Sequence, residues 1–142
     1  MEEKHIDEVQ YISEVSIKDY WSVDELKKEL DNKVAKYFIQ EIDGKVVGFA
    51  GVWVVYDEGQ ITNIAVHPDY RRRGIATKLL EDMIEHLKTL DCSIITLEVR
   101  KSNTKAYALY SSLGFTDEGV RKRFYKDGED AIIMLYRYED FE

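Results

Sequence analysis

Three groups of residues in this 142-residue chain have types and spacings that chemistry can use. The first is Glu98, within Ile94-Ile95-Thr96-Leu97-Glu98-Val99-Arg100. At strand period, Ile94, Thr96, Glu98 and Arg100 share one face, and Ile95, Leu97 and Val99 the other. A carboxylate held between Leu97 and Val99 and partly withdrawn from water would rise in pKa toward the working range of a general base. An ion pair with Arg100, or with the cluster Arg71 to Arg73, is the competing reading and would lower it. The second group is Asn103, Tyr107 and Tyr110, at i, i+4 and i+7 and therefore on one helix face. Core packing is the ordinary use of such a stripe. Tyr110 could instead bring its hydroxyl to the end of the Glu98 strand, where phenol and carboxylate would form an acid and base pair. The third is Arg71-Arg72-Arg73-Gly74, ahead of an apolar helical run. Unpaired N–H groups at a helix start favour anions, Gly74 lets a phosphate approach the backbone, and Thr77 adds a hydroxyl. A solvated basic turn is the alternative there.

These residues need elements to position them. Ser22 with Glu25 three residues later is a capping-box signature, and Val23, Leu26 and Leu30 follow at helical spacing. Lys36 to Ile42 and Lys45 to Tyr56 read as strands joined by a tight turn at Asp43-Gly44. After Asp57-Glu58-Gly59, Gln60 to Val66 reads as a third strand, stopped by His67-Pro68-Asp69. Ile75, Leu79, Leu80, Met83, Ile84 and Leu87 mark an amphipathic helix running to Leu90. Ser93 to Val99 is then a strand and Asn103 to Leu113 a helix, ended by Gly114. Phe115 to about Phe124 and Ala131 to Tyr138 are the last strand candidates. This order predicts an α/β (α+β) chain, a mixed sheet flanked by helices and not a regular doubly wound one.

Composition narrows the function. The length suits a single domain over residues 1–142 with a real core. A net charge of −8 speaks against nucleic-acid binding and would attract a basic peptide or a polyamine. Cys92 is the single cysteine, which excludes an internal disulfide, and His5, His67 and His86 have no metal-ligand spacing. The apolar run Val46 to Tyr56 is too short to cross a bilayer, and Met1 to His5 opens no apolar stretch of signal type. A cytoplasmic protein without a membrane or metal partner is expected.

The ordered set of strings resembles the GNAT superfamily of N-acetyltransferases. Asn63-Ile64-Ala65-Val66-His67-Pro68-Asp69-Tyr70-Arg71-Arg72-Arg73-Gly74-Ile75-Ala76 matches its acetyl-CoA signature, Q/R-x-x-G-x-G/A after a strand. Leu97 to Asn103, Ala106, Leu109-Tyr110, Leu113-Gly114-Phe115 and Glu129 to Met134 are similar to the RimI-like N-terminal acetyltransferases, which act on the N-terminal alanine of a ribosomal protein. The matching blocks run from Ile61 to Met134. The resemblance implies a mostly antiparallel sheet in which one parallel pair, Gln60–Val66 and Ser93–Val99, splays apart to admit acetyl-CoA. It implies Glu98 as general base and Tyr110 as general acid in direct transfer to an amine. It also implies Ile64, Ala65 and Val66 on the pantetheine and acetyl part, and Arg72, Arg73, Gly74, Ile75, Ala76 and Thr77 on the pyrophosphate. Asn103 would contact the pantetheine arm, and Trp21 and Tyr125 would line the acceptor groove. Two departures fall in acceptor regions: Tyr20-Trp21-Ser22 stands where the family often has Pro-Trp-Ser, and Phe124-Tyr125 where it has Tyr-Tyr. The acceptor stays open between a peptide N-terminus, a protein lysine and a small amine such as a polyamine. A non-catalytic acetyl-CoA-binding module has no need of both Glu98 and Tyr110.

Overall fold

The computed structural model describes residues 1–16 and 21–138. In chain order the elements are α1 (Ile6–Ser16), α2 (Val23–Leu30), β1 (Ala35–Ile42), β2 (Lys45–Val55), β3 (Glu58–Val66), α3 (Ile75–Thr89), β4 (Ile94–Arg100), α4 (Thr104–Ser112), β5 (Thr116–Arg121) and β6 (Ala131–Arg137). The strands form one sheet of order β1-β2-β3-β4-β6-β5. Its neighbours pair antiparallel except β3 with β4, which run parallel. This is the mixed, mostly antiparallel sheet expected, with helices on its flanks.

Local chemistry sets the joints. Asp43 and Gly44 both take positive φ, 51° and 77°, as the tight β1–β2 turn requires. At α2 the reciprocal cap is present: Glu25 N–H donates to Ser22 Oγ at 3.1 Å, and Ser22 N–H to Glu25 Oε1 at 3.2 Å. At α4, Asn103 Oδ1 accepts from Ala106 N–H at 3.2 Å, and Gly114 at φ 105° follows the helix end.

A bulge in the β1–β2 pair decides which side chains face which layer. Between Gln40 and Glu41 the β1 register skips Val47. As a result Val46 and Phe49 face α1 and α2, while Val47, Ala50 and Val52 face α3. Leu79, Leu80, Met83 and Leu87 of α3 are fully buried on that second face. Each contributes about 1.5–3 kcal/mol by area burial, so packing and not propensity holds α3 in place.

The structure departs from the sequence reading in three places. Helix α1 was not expected: Ile6, Val9 and Ile12 are buried, but they recur among Asp7, Glu8, Gln10 and Glu14 and no capping residue announces them. Strand β3 begins at Glu58, so the Asp57-Glu58-Gly59 turn is confined to Tyr56 and Asp57, with Tyr56 at φ 55°. Strand β5 stops at Arg121 rather than Phe124, and 122–130 form a loop closed by the Tyr125 N–H bond to Glu129 O at 3.2 Å.

Candidate active site

The opening in the sheet comes from register. Strand β3 pairs with β4 only through Glu58↔Ile94, Gly59↔Ile95 and Gln60↔Thr96. Immediately beyond, the β2–β3 register passes from Val52↔Ile61 to Gly51↔Asn63, leaving Thr62 as an extra residue that bends β3. Gly51 is needed opposite this bulge, since a Cβ there would lie 2.5 Å from Asn63 Oδ1 and 2.8 Å from the Tyr37 ring. Meanwhile β4 stays paired with β6 as far as Arg100↔Ala131. The facing edges of β3 after Gln60 and β4 after Thr96 therefore part, and backbone N–H and C=O groups along them face open space.

One end of that opening is built for an anion. Gly74 caps α3 at φ 74°, a left-handed conformation that suits glycine, and no side chain caps the helix. The first intrahelical bond is Lys78 N–H to Gly74 O at 3.0 Å, so the amides of Ile75, Ala76 and Thr77 lack helical partners. They border a cavity of about 510 Å³ that Ile64, Ala65, Val66, Arg72, Gly74, Asn103 and Tyr110 also line. Of the residues expected at the cofactor, Arg73 alone does not line it; its guanidinium lies 5.1 Å from the centroid of the Tyr70 ring, which does.

Glu98 and Tyr110 line a second cavity of about 480 Å³ between the parted strands, which shares Ile64, Asn103, Ala106 and Tyr110 with the wall of the first. The Glu98 side chain is 30% exposed, and its ion-pair partner is Arg121 at 3.8 Å, neither Arg100 nor the Arg71–Arg73 cluster. Arg100 is engaged elsewhere, with Asp127 at 2.9 Å and Glu129 at 2.8 Å. Tyr110 is buried, its ring against Phe115 at 5.8 Å. Its hydroxyl makes no hydrogen bond to a described residue. Yet no enclosed side-chain polar atom among the described residues lacks a partner, so that oxygen faces the cavity. Burial, then the neighbouring Tyr125, push its pKa up, which keeps it a proton donor. Tyr107 is not part of the site: its hydroxyl turns to Asp117 at 3.3 Å.

A third cavity, of about 500 Å³, is lined by Trp21, Trp53, Glu58, Gln60, Arg121, Phe124 and again Glu98. Trp21 lines it 6.2 Å from Trp53 ring to ring, whereas Tyr20 lies outside the described residues. Tyr125 does not line this cavity; the Arg100 guanidinium sits 4.0 Å from its ring, and Phe124 takes the place in the wall. Trp53 and Arg121 were not singled out in the sequence, and Phe124 only as a departure from the family's Tyr-Tyr pair, because only the folded sheet brings β2, the end of β5 and the loop after it to one cavity with β4. Glu98 is thus shared by a cavity on the anion-binding side and a cavity walled by aromatic rings. Among the described residues no cluster of His, Cys, Asp and Glu could hold a metal ion, and no helix is long and apolar enough to cross a membrane.

A mixed sheet parted beside a helix start is the architecture that the motifs led one to expect of an N-acetyltransferase, and this chain belongs to the acetyltransferase (GNAT) family, whose model matches residues 4–115. Among its relatives, the [ribosomal protein bS18]-alanine N-acetyltransferase of Escherichia coli is 48% identical over 95 residues, 65% of this chain and 64% of that protein. A Bacillus subtilis protein that carries the same name provisionally is 41% identical over 131 residues, 91% of this chain and 87% of that one. The crystal structure of the Escherichia coli ribosomal-protein-S18-alanine N-acetyltransferase matches with a TM-score of 0.91 at 35% identity, over 100% of this chain and 93% of that one. The acyltransferase class and the fold expected from the motifs are those observed.

Proposed function

We propose that this enzyme transfers acetyl from acetyl-CoA to the α-amine of a protein that begins with alanine, in the cytoplasm, with ribosomal protein bS18 as the first candidate. The observation that carries the proposal is the position of Glu98, among the described residues the one carboxylate common to the cavity between the splayed strands and the aromatic cavity beside it. The likeness to the two bS18-alanine acetyltransferases supports the choice of acceptor.

The residues fit the acetyl donor. Free amides at Ile75 to Thr77 suit a pyrophosphate. The open edge of β3 at Ile64, Ala65 and Val66 suits the amides of a pantetheine arm, and Asn103 lies on the opposite wall. When bound, acetyl-CoA supplies an activated acetyl thioester. Glu98 accepts the proton that the attacking amine must lose, and the Tyr110 hydroxyl gives one to the departing sulfur. N–H groups near Val66 hold the thioester oxygen as it gains charge. An α-amine with pKa near 8 is on the order of 10% neutral at pH 7, against on the order of 0.04% for a lysine, so a single carboxylate has the easier task at a peptide N-terminus.

The test is kcat/KM for peptides beginning Ala, Ser, Met and Leu, beside spermidine and an N-blocked lysine peptide. The Ala peptide is expected to lead. Spermidine or the lysine peptide leading by tenfold, about 1.4 kcal/mol in the transition state, would overturn the acceptor while leaving the acetyltransferase in place.

A further inference from the structure

Behind the aromatic cavity lies a carboxylate that acetyl transfer does not use. Glu29, in the last turn of α2, is 6% exposed. Its Oε1 accepts from the Tyr37 hydroxyl and from the Trp53 indole N–H, each at 2.8 Å, and its Oε2 accepts from Asn32 Nδ2 at 2.9 Å. Among the described residues no cation pairs with it. Burying a carboxylate is costly, and apolar side chains of similar volume in place of it and its three donors would often pack α2 on the sheet as well. What the carboxylate does that an apolar group could not is fix two aromatic rings from two strands with one oxygen.

Both rings lead to the site. Trp53 lines the aromatic cavity and stands 6.2 Å from Trp21 across its wall. Tyr37 is paired with Gly51 in the ladder and fills the space that a side chain there would occupy. The same space is bordered by Asn63 Oδ1 and Thr62 Oγ1, 2.5 and 2.9 Å from where such a Cβ would lie, so the Tyr37 ring edge stands beside the bulge at which β3 leaves β4. Burial first, and then the hydrogen bond to Glu29, push the Tyr37 phenol up in pKa, so it remains a donor to the carboxylate. Nothing in this network lines the cavity at the start of α3.

We propose that Glu29 is a positioning residue for the acceptor: by holding the Trp53 indole, it sets the width of the acceptor cavity without acting on the acetyl donor. This rests on the reading of that cavity as the acceptor site.

The experiment compares Glu29→Ala, Glu29→Gln and Trp53→Phe with the wild type, using an Ala-initiated peptide and acetyl-CoA. Glu29→Ala is expected to raise the peptide KM about tenfold and to leave the acetyl-CoA KM within about twofold. It should also shift the tryptophan emission, since both tryptophans of the chain, Trp21 and Trp53, stand at this cavity. Glu29→Gln retains an oxygen that can accept from both rings and should stay within about threefold of wild type for the peptide. Trp53→Phe removes the indole donor and should raise the peptide KM in the same direction, which keeps the test alive if Glu29→Ala does not fold. An unchanged peptide KM in Trp53→Phe or in folded Glu29→Ala would overturn the proposal, as would equal rises in both KM values. A wild type that acetylates no peptide would instead sink the acceptor reading and this proposal with it.

Discussion

Replacing Tyr110 by Phe separates a proton donor from a packing residue. The ring is buried against Phe115, and a phenylalanine fills that space unchanged. The lost hydroxyl holds no hydrogen bond to a described residue, so removing it leaves no orphaned partner. Stability should therefore change by less than about 1 kcal/mol, or less than about 5 °C in Tm for a domain of this size. General acid catalysis contributes about 10²–10⁴-fold, so kcat should fall by about 2.7–5.4 kcal/mol in activation free energy. The acetyl-CoA KM should stay within about threefold. Steady-state kinetics and a thermal melt on one preparation read both quantities. Because burial holds the wild-type phenol protonated well above the ordinary tyrosine range, its kcat should show no alkaline fall due to Tyr110 up to about pH 10. A variant with kcat within threefold of wild type and a lowered Tm would refute the reasoning and leave Tyr110 as packing.

The remaining predictions concern the base, the anion site and alkaline stability. Glu98→Gln should lower kcat by about 10²-fold at pH 7, with part of the loss recovered near pH 9, where an α-amine is already neutral; a flat deficit across that range would count against Glu98 as the base. Gly74→Asp meets no atom with its Cβ but adds a charge where phosphates would approach and a side chain at positive φ. Calorimetry should show CoA binding weakened at least about tenfold, some 1.4 kcal/mol, and unchanged affinity would place the phosphate elsewhere. Tyr37, Tyr110 and Tyr138 all have folded pKa values raised first by burial. Above about pH 10 an unfolded chain releases phenolic protons that the folded one keeps, so Tm should hold up to about pH 9 and fall as pH climbs through 11. Tyr110→Phe should flatten that fall, and a Tm insensitive to pH in this window would contradict the burial.

Much of the scaffold was legible in the residues because its signals are local. The Ser22/Glu25 cap, the Asp43-Gly44 turn and the α3 stripe each lie within one turn or one helix, and each sits where the spacing put it. The gap between β3 and β4 came from the family resemblance; its physical origin, the extra residue at Thr62, leaves no mark in a hydrophobic pattern. Ion pairs were less legible still. Arg100 shares a strand face with Glu98 but turns to the β5–β6 loop, where Asp127 and Glu129 sit on a segment that spacing alone cannot place. The hydrogen bonds of Ser102 first, and Arg100 next, hold the Glu129 carboxyl below the usual range, so that loop is tied to the start of α4. This is why Phe124, not Tyr125, faces the aromatic cavity. Glu29 was invisible for the same reason: in sequence it is one more acid on the short helix Val23–Leu30, and only the packing of that helix on β1 and β2 buries it.

The most direct measurement is an internal competition on a single peptide that begins with alanine and carries an unblocked lysine farther along. The enzyme is given acetyl-CoA and the acetyl group is located by fragment mass spectrometry at low conversion. Acetyl on the alanine α-amine, with the lysine unmodified and the rate of labelling cut about 10²-fold in Glu98→Gln at neutral pH, is the result expected of an N-terminal acetyltransferase built as described. Acetyl on the lysine, or equal label at both amines, would contradict it.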